Sequence, residues 1–504
     1  MPPFRVIVVG AGMGGLSCAI DLAASGAEVT LVEAASAPGG KMRTTPSAGG
    51  PIDSGPTVMT MRWVFEELFA AAGVSFGDRV RLRAADILAR HAWPDGSKLD
   101  LFADRTRSAD AIGTFSGKAA AKGFRDFCDH AGRIHDTLRD TFLTKPANGP
   151  VGLSQRIGLG RMERLFDLRP FDTLWDVLGG YFPDPRLRQL FGRYATYCGS
   201  SPFLAPATLM LIAHVELEGV WMVEGGMQAL ADAMAELARS LGVTIRFGAR
   251  AEGLILKSGA AAGVTLAGGE RLEADAVVVN GDPASLRSAT PLTPNMTPRQ
   301  RSLSAITWTA QAMVEGMPLT RHNVAFSDDY PAEFRDLTER GCPPQKPTIY
   351  ICAQDRGEGS APPPGPERLL LLINAPPDGD RASYSSQDIR ACEKRLIDQM
   401  ARCGLRLDLS SATVTTPADF ERMFPGTGGA LYGKATHGWS AAFERPAAGT
   451  KVKGLYQAGG GAHPGAGVPM ATLSGRLAAQ RLRADFASTQ LFRRAAITGG
   501  TSMR

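Results

Sequence analysis

Residues 6–16 read VIVVGAGMGGL, in which a β-branched run opens into glycines and then into an apolar helical pattern over 14–25. Gly26 ends that pattern, and EVTLVE at 28–33 predicts a second strand. A strand, a glycine loop, a helix and a strand within about 30 residues make a βαβ unit, whose strands are parallel and whose crossover is right-handed. The start of the chain therefore predicts an α/β domain built on a parallel sheet.

The glycine loop has the spacing G-x-G-x-x-G at Gly10, Gly12 and Gly15, with Gly14 between them. The first glycine permits a tight turn, the second lets the backbone approach a pyrophosphate, and the third lets the helix pack on the strand. Glu33 ends the second strand, where a carboxylate can accept hydrogen bonds from ribose hydroxyls. The pattern predicts a dinucleotide site; the alternative is a glycine-rich turn followed by a chance acidic residue.

Composition argues against several other classes of function. The chain has 504 residues and a formal net charge of +5 without a basic run, so we expect no nucleic-acid partner. Its cysteines form no CxxC pair and its histidines have no metal-binding spacing, so we expect reduced thiols and no bound metal. No uninterrupted apolar run reaches the roughly 18 residues of a membrane span. These features predict a cytoplasmic protein.

Three further stretches carry a resemblance to a known family. They are VEAASAPGGKMRT at 32–44, IDSGPTV at 52–58 and LYQAGGGAHPGAGVPMATLSG at 455–475. In this order they resemble the motifs of flavoproteins of the amine-oxidase and carotenoid-desaturase superfamily. The resemblance implies an α/β fold, in which a Rossmann-like FAD-binding domain carries an inserted α+β substrate domain.

The resemblance also implies how FAD is held by loops far apart in sequence. The first glycine loop holds the ADP half, Gly39 and Gly40 follow the pyrophosphate and ribityl chain, and the last glycine loop holds the flavin. Lys41 lies near the phosphates, although a solvated surface lysine is the alternative. The residues that the resemblance assigns to FAD are Gly10, Gly12, Gly14, Gly15, Glu33, Gly39, Gly40, Lys41, Gly55, Pro56, Thr57, Val58, Ala251, Asp282, Gly459, Gly460, Gly467, Val468, Pro469 and Met470.

The same resemblance predicts a discontinuous division of the chain. The FAD-binding domain comprises residues 1–75, 222–290 and 416–486, and the substrate-binding, membrane-facing domain comprises residues 76–221 and 291–415. Residues 487–504 are predicted to be a tail. Within these limits the pattern predicts a helix at 227–240, strands at 243–247 and 273–283, and a helix that begins near Ser385 with a capping box to Asp388.

Finer motifs point to one branch of the superfamily. HPGAGVP at 463–469 resembles the phytoene-desaturase type, and SLSAITWTAQAM at 302–313 with VPMATLSG at 468–475 resembles the hydroxyneurosporene desaturases of photosynthetic bacteria. This implies an enzyme that introduces a C3–C4 double bond into acyclic 1-hydroxycarotenoids by hydride transfer to flavin N5 and proton loss. The electron acceptor, oxygen or a quinone, stays open. The alternatives are a phytoene desaturase, an amine oxidase, or a prenyl-binding escort protein without flavin.

No catalytic side chain follows from the motifs. An Asp-x-x-Arg pair proposed for acid–base work in bacterial phytoene desaturases falls on Ile157 and Gly160 here. Arg156 and Asp172 lie nearby, and we expect them to be surface or salt-bridge residues. His463 is a weak candidate for tuning the flavin, and a histidine bonded to backbone is the alternative.

A carotenoid substrate implies contact with a membrane surface. Residues 151–171, VGLSQRIGLGRMERLFDLRPF, place Ile157, Leu165 and Leu168 near one face of a helix with arginines beside them. This pattern suits a peripheral helix on anionic lipid. The alternative is an ordinary amphipathic helix on the core of its own domain.

Overall fold

The computed structural model describes residues 4–161, 163–282, 285–286, 288, 296–357 and 363–498. The α-helices in this part of the chain are Met13–Ala24, Arg62–Ala71, Arg105–Ser116, Lys118–Leu138, Pro150–Ile157, Glu163–Asp167, Leu174–Tyr181, Pro185–Gly192, Leu211–Leu217, Met227–Ser240, Tyr330–Arg335, Ser386–Arg402, Pro417–Met423 and Val468–Thr498.

A parallel sheet of five strands organises the first half of the fold. Its spatial order is Leu455–Ala458, Ala276–Asn280, Arg5–Val9, Glu28–Val32 and Thr244–Arg246. Val6 pairs with Val29 on one side and with Ala276 on the other. Because both faces of a parallel sheet are covered, its strands are nearly continuous β-branched runs, as at residues 6–9. The predicted βαβ unit and the Rossmann-like α/β class are confirmed.

Different layers cover the two faces of this sheet. Helices Met13–Ala24, Met227–Ser240 and Val468–Thr498 lie on the face that presents Val6 and Val8. The opposite face, with Ile7 among its residues, packs on a small antiparallel sheet formed by Ala251–Lys257, Ala260–Leu266 and Arg271–Glu273. Segments from the start, middle and end of the chain therefore share one core.

A second, mixed sheet has its own core. Its order is Thr413–Thr415, Ser304–Ala312, Glu367–Ala375, Ile349–Ala353, His322–Ala325, Ile87–Ala92 and Lys98–Phe102. Neighbouring strands are antiparallel except for the fifth and sixth. Shorter pairs of strands are Thr44–Thr45 with Ile52–Asp53, Leu82–Ala84 with Trp221–Val223, and Val314–Gly316 with Leu405–Leu407.

The helix Ser386–Arg402 packs on this second sheet through Leu396 and Met400. Its predicted capping box is present, because Ser385 Oγ accepts from the Asp388 amide and the Asp388 carboxylate accepts from the Ser385 amide. The predicted helix at 227–240 is also confirmed as Met227–Ser240.

Two sequence predictions need correction. The last helix continues to Thr498, so residues 487–498 are helical where a tail was predicted, and residues 499–504 lie outside the described part of the chain. Residues 151–171 do not form one helix, because Gly158 at a φ of +84° ends Pro150–Ile157. A 3₁₀ turn at Leu159–Arg161 and a short α-helix at Glu163–Asp167 follow. Gly158 supplies a backbone conformation that an L side chain rarely adopts.

Two global expectations can also be compared with the fold. All seven cysteines are free thiols, as the spacing predicted. Among the described residues no helix has the length and hydrophobicity needed to cross a bilayer.

Candidate active site

Three glycine-rich loops meet at the carboxyl ends of the parallel strands. The Gly10 amide donates to Val32 O at 2.8 Å, and the Gly39 amide donates to Ala11 O at 2.8 Å, which joins the second loop to the first. A Cβ added at Gly14 would lie 2.7 Å from the Gly459 amide nitrogen, so the C-terminal loop is in contact with the N-terminal one. Loops about 450 residues apart in sequence therefore form one surface.

Asn280 holds this junction together, and sequence reasoning missed it. Its Nδ2 donates to Gly10 O at 3.3 Å. A Cβ at Gly12 would lie 2.7 Å from that Nδ2, and one at Gly459 would lie 2.7 Å from its Oδ1. The available signal was its place at the carboxyl end of a buried strand, where ligands bind in open α/β sheets. The sequence prediction selected Asp282, two residues further on.

The helices behind the loops are in equally close contact. A Cβ at Gly15 would lie 2.0 Å from Gly10 O, and one at Gly475 would lie 2.0 Å from Gly14 O. Ser17 Oγ also donates to Thr472 O at 2.8 Å, which ties the first helix to the last. These positions exclude any side chain for packing reasons, independently of ligand contact.

Glu33 lies at the edge of the first loop. One carboxylate oxygen accepts from the Ala11 amide at 2.6 Å and the other from the Ala35 amide at 2.8 Å. A carboxylate accepts about four hydrogen bonds, so these two leave capacity for ligand hydroxyls. The geometry suits the ribose role that the sequence pattern predicts.

A cavity of about 1270 Å³ opens beside the joined loops. It exceeds the range of roughly 300–1,000 Å³ that is usual for pockets of drug-sized ligands. Of the residues that the sequence assigns to FAD, all except Gly15 line this cavity, including the distant Ala251 and Asp282. Gly15 lies beneath the loop as packing. The bare glycine surface and the size of the cavity fit an extended dinucleotide with room for a second ligand.

Lys41 lines the cavity with its ammonium group partly removed from water. Its Nζ donates to Leu431 O at 2.5 Å and lies 5.5 Å from the centre of the Phe424 ring. Burial lowers the pKa of Lys41 to about 8, because the ammonium is desolvated. Among the residues that the structure describes, no carboxylate forms an ion pair with it. A partly buried cation that lines the cavity, and for which the described residues offer no paired carboxylate, suits an anionic ligand better than the alternative of a solvated surface lysine.

The segment Gly55–Val58 forms the next part of the lining. A Cβ at Gly55 would lie 1.8 Å from Lys41 O, so the two loops are in direct contact. Thr57 Oγ1 and Tyr350 Oη lie 2.6 Å apart in a hydrogen bond. The preceding Asp53 accepts from the Met227 amide at 2.8 Å, which anchors the segment to the helix Met227–Ser240.

Beyond the glycine loops the cavity becomes strongly apolar. The walls come from helical segments between residues 138 and 215, from the second sheet and from residues 420–424. They comprise Leu138, Phe142, Leu143, Leu153, Leu209, Leu211, Ile212, Val215, Leu370, Leu372, Phe420 and Phe424. Such a wall offers few hydrogen-bond partners, so it suits a hydrocarbon better than a small polar substrate.

His463 does not line the cavity. Its buried Nε2 donates towards the carbonyls of Lys145 at 2.8 Å and Phe142 at 3.1 Å. Burial lowers the pKa of His463, so the ring is neutral near pH 7. The backbone-bonded alternative describes this histidine, and a flavin-tuning role has no contact to act through.

The other residues considered for catalysis, Ile157, Arg156 and Asp172, do not line the cavity either. Ile157 is buried in the core, and Arg156 donates to the carbonyls of Thr141 and Pro146 at 3.0 Å. Asp172 pairs with Arg169 at 2.8 Å, as expected of a surface ion pair. None of these groups faces the apolar space.

The predicted lipid-facing residues of 151–171 are wrong in detail. Ile157 and Leu168 are only 6% and 5% exposed and belong to the core. The exposed apolar side chains are instead Val151, Phe166 and Phe171, the last two 79% exposed, together with Trp439, which contacts Phe171 at 5.7 Å between ring centroids. Helical spacing could not identify them, because the segment is broken at Gly158.

One cluster of metal-ligand side chains lies apart from the cavity. Single ligand atoms of His135, Asp136 and His214 lie within 4.8 Å of one another. The expectation of no bound metal stays a prediction.

Comparison with known proteins agrees with this geometry. The chain is 49% identical to the hydroxyneurosporene desaturase of Rubrivivax gelatinosus over 99% of its own length and 97% of that protein. It is 44% identical to the hydroxyneurosporene desaturase of Cereibacter sphaeroides over 96% of this chain and 98% of that one. Among solved structures, putrescine oxidase with bound putrescine superposes with a TM-score of 0.60 at 16% identity over 96% of this chain and 99% of that one, which shows a shared fold.

The family model for flavin-containing amine oxidoreductases matches residues 13–483. That range contains the helix of the first glycine loop, the Gly39–Lys41 turn and the whole C-terminal loop. The expected cofactor, FAD, is thereby confirmed along with the oxidoreductase class. The chain therefore belongs to the family of flavin-containing amine oxidoreductases, in the branch that includes the hydroxyneurosporene desaturases.

Proposed function

We propose that this protein introduces a C3–C4 double bond into acyclic 1-hydroxycarotenoids. The observation that carries the proposal is the cavity, which runs from the glycine loops into a largely apolar space. Two relatives named hydroxyneurosporene desaturase, at 49% and 44% identity, support the substrate class.

Four groups would hold the cofactor. The amides at the start of the helix Met13–Ala24 have no intrahelical partner and favour the pyrophosphate, while Glu33 takes the ribose. Lys41 would supply a positive charge, and the N-terminus of the helix at Val468 would add a partial positive charge that favours an electron-rich flavin. Each group lines the cavity, so all can act on one ligand.

When bound, FAD supplies the two-electron acceptor for a hydride that leaves C4 of the substrate. Because C4 is allylic to the polyene, the substrate itself delocalises the positive charge that develops. The protein therefore mainly orients the chain end and excludes water, and Leu209, Ile212 and Val215 provide such a wall. A proton then leaves C3 to complete the double bond.

Rival functions differ in what they require of the cavity. An amine oxidase needs polar contacts for a cationic substrate, and a prenyl escort needs no intact flavin loops. Conversion of an amine, or of phytoene in preference to a hydroxylated carotenoid, would favour the other enzymes. Turnover also requires a second acceptor, and reoxidation rates with oxygen and with a quinone decide between the two classes.

The direct experiment uses FAD-loaded protein and 1-hydroxyneurosporene in liposomes, followed by chromatography of the pigments. The expected product has lost two hydrogen atoms and has one more conjugated double bond. Unchanged pigment in the presence of oxygen and a quinone, with FAD bound, would refute the proposal.

The protein reaches this substrate by docking on a membrane surface. Phe166, Phe171 and Val151 are largely exposed, and Trp439 both contacts Phe171 and lines the cavity. Phe171 and Trp439 form an exposed apolar patch, and such a patch marks an interaction site. Because Trp439 also lines the cavity, the patch gives a membrane-borne hydrocarbon an entry route.

Liposome sedimentation tests this docking. Phe171→Ser combined with Trp439→Ser should lower binding to anionic vesicles by at least tenfold and up to about a thousandfold, because burial of each aromatic ring contributes about 2 kcal/mol. Met313→Ser is the matched control, since Met313 is also exposed but lies outside the patch. Equal sedimentation of both variants would show that the patch does not contribute to membrane binding.

A further inference from the structure

A buried polar network interrupts the apolar part of the cavity. Arg193, Tyr197, Glu216 and Tyr350 all line it. Tyr194 Oη donates to Glu216 Oε2 at 2.6 Å, and Arg193 Nη1 donates to Tyr197 Oη at 3.4 Å. A hydrocarbon gives these groups nothing in exchange for their lost hydration, and a buried carboxylate costs several kcal/mol unless it is well compensated. Such groups in the wall of an apolar cavity suit a ligand that carries a polar group.

The hydrogen-bonding capacity of the network matches an alcohol. A carboxylate accepts about four hydrogen bonds, and the hydroxyls of Tyr194 and Tyr197 supply at most two of them to Glu216, which leaves capacity for a ligand hydroxyl. Arg193 has five N–H donors and uses one in a side-chain hydrogen bond among the described residues. A hydroxyl group can donate to the carboxylate while it accepts from the guanidinium. Burial raises the pKa of Glu216, while the two tyrosines and Arg193 counteract the rise.

The network also lies close to the loop that is assigned to the flavin ring. The Arg193 guanidinium is 5.3 Å from the Tyr350 ring centroid and 5.4 Å from that of Tyr197. Tyr350 Oη in turn bonds to Thr57 Oγ1 at 2.6 Å. Thr57 belongs to the loop assigned to the flavin ring, so a single tyrosine separates that loop from Arg193.

Substrate geometry demands such a position. The C1 oxygen is four bonds from C4, or about 5 Å in an extended chain with bonds of about 1.5 Å. When C4 is placed against the flavin, the hydroxyl must therefore find its partners close to the ring rather than at the far end of the cavity.

We propose that Arg193, Tyr197 and Glu216 form a subsite for the C1 hydroxyl group, which sets the C3–C4 bond in register with the flavin. This inference rests on the proposed desaturase function. Tyr194 and Tyr350 are positioning residues, since they act by holding Glu216 and the Arg193 guanidinium. The register of a long, nearly uniform polyene is thereby fixed by its one polar group.

The test compares kcat/KM for 1-hydroxyneurosporene and for 1,2-dihydroneurosporene, its analogue without the hydroxyl. The wild-type protein should prefer the alcohol by about 10- to 100-fold, the range for hydrogen bonds to charged groups. Glu216→Gln and Arg193→Met should each lower kcat/KM for the alcohol at least tenfold and leave the analogue within about twofold. Glu333→Gln is the control, because Glu333 is an equally buried carboxyl outside the cavity lining.

A substrate analogue with a methoxy group at C1 distinguishes the role of Arg193 from that of Glu216. It can accept from Arg193 but cannot donate to Glu216, so Glu216→Gln should change its kcat/KM by less than about twofold while Arg193→Met still lowers it. FAD content and melting temperature confirm that each variant is folded.

Three results would overturn the subsite. Equal wild-type rates for the alcohol and its hydrocarbon analogue would refute hydroxyl recognition while the desaturase function stands. If Glu216→Gln lost activity on both substrates, the Glu216 carboxylate would instead be assigned to removal of the C3 proton. Failure of the wild-type protein to desaturate either compound refutes the proposed function and the subsite together.

Discussion

Substitution of Gly14 by alanine tests whether the two glycine loops share one ligand. The added methyl group would lie 2.7 Å from both Asn280 Oδ1 and the Gly459 nitrogen and 2.9 Å from Gly459 Cα. These distances are well inside normal van der Waals contact, and overpacking of this kind costs about 1–3 kcal/mol. The strain is relieved when the C-terminal loop moves away, which removes its contacts with FAD. We therefore expect the dissociation constant for FAD to rise about 5- to 150-fold.

Titration of the FAD-free protein with FAD, followed by flavin absorbance or calorimetry, measures this change. Gly180→Ala is the matched control, because Gly180 also lies in an α-helix but has nothing within 4 Å of an added Cβ. It should leave FAD affinity unchanged and stabilise the helix by about 0.5–1 kcal/mol. If Gly14→Ala binds FAD within about twofold of the wild-type protein, the loops do not meet as described.

Two further predictions concern charged groups. Burial lowers the pKa of Lys41 to about 8, so above pH 8 the side chain is mostly neutral and must take up a proton when an anionic ligand binds. FAD affinity should therefore fall about tenfold between one pH unit below this pKa and one unit above it. Lys41→Met should abolish this pH dependence. A pH-independent affinity in the wild-type protein would contradict this. Arg356 and Glu367 form a buried ion pair at 2.5 Å, so Glu367→Gln should lower the free energy of unfolding by about 3 kcal/mol in denaturant titrations. For the exposed pair Lys394–Asp398, Asp398→Asn should cost under about 1 kcal/mol, and equal costs would refute the difference.

The cofactor half of the molecule could be predicted because its residues are constrained by the backbone. Glycines at Gly10, Gly12 and Gly39 are required by close approaches that any side chain would block, and such requirements are visible in the sequence as fixed spacings. The helix at 227–240 and the capping box at Ser385 were equally local signals.

The substrate half was less predictable because its site is assembled from long-range contacts. Tyr194, Glu216 and Tyr350 come from three separate elements, and no spacing relates them. Asn280 was missed although it ends a predicted strand, because its role lies in contacts with Gly10 and Gly459.

The prediction of the lipid-facing residues was wrong for a different reason. A helical face was projected across Gly158, where the chain turns, so Ile157 and Leu168 point into the core while Phe166 and Phe171 are exposed. A single glycine with a left-handed backbone was enough to invalidate the periodicity argument.

We propose above all that the glycine loops seat a flavin against an apolar cavity that admits a carotenoid end. The decisive experiment is anaerobic mixing of FAD-loaded protein with 1-hydroxyneurosporene in liposomes. We expect oxidised-flavin absorbance to fall in proportion to the protein, together with the appearance of an equal amount of carotenoid that has gained one conjugated double bond. Flavin that stays oxidised while the carotenoid is bound, or that is reduced by an amine instead, would contradict it.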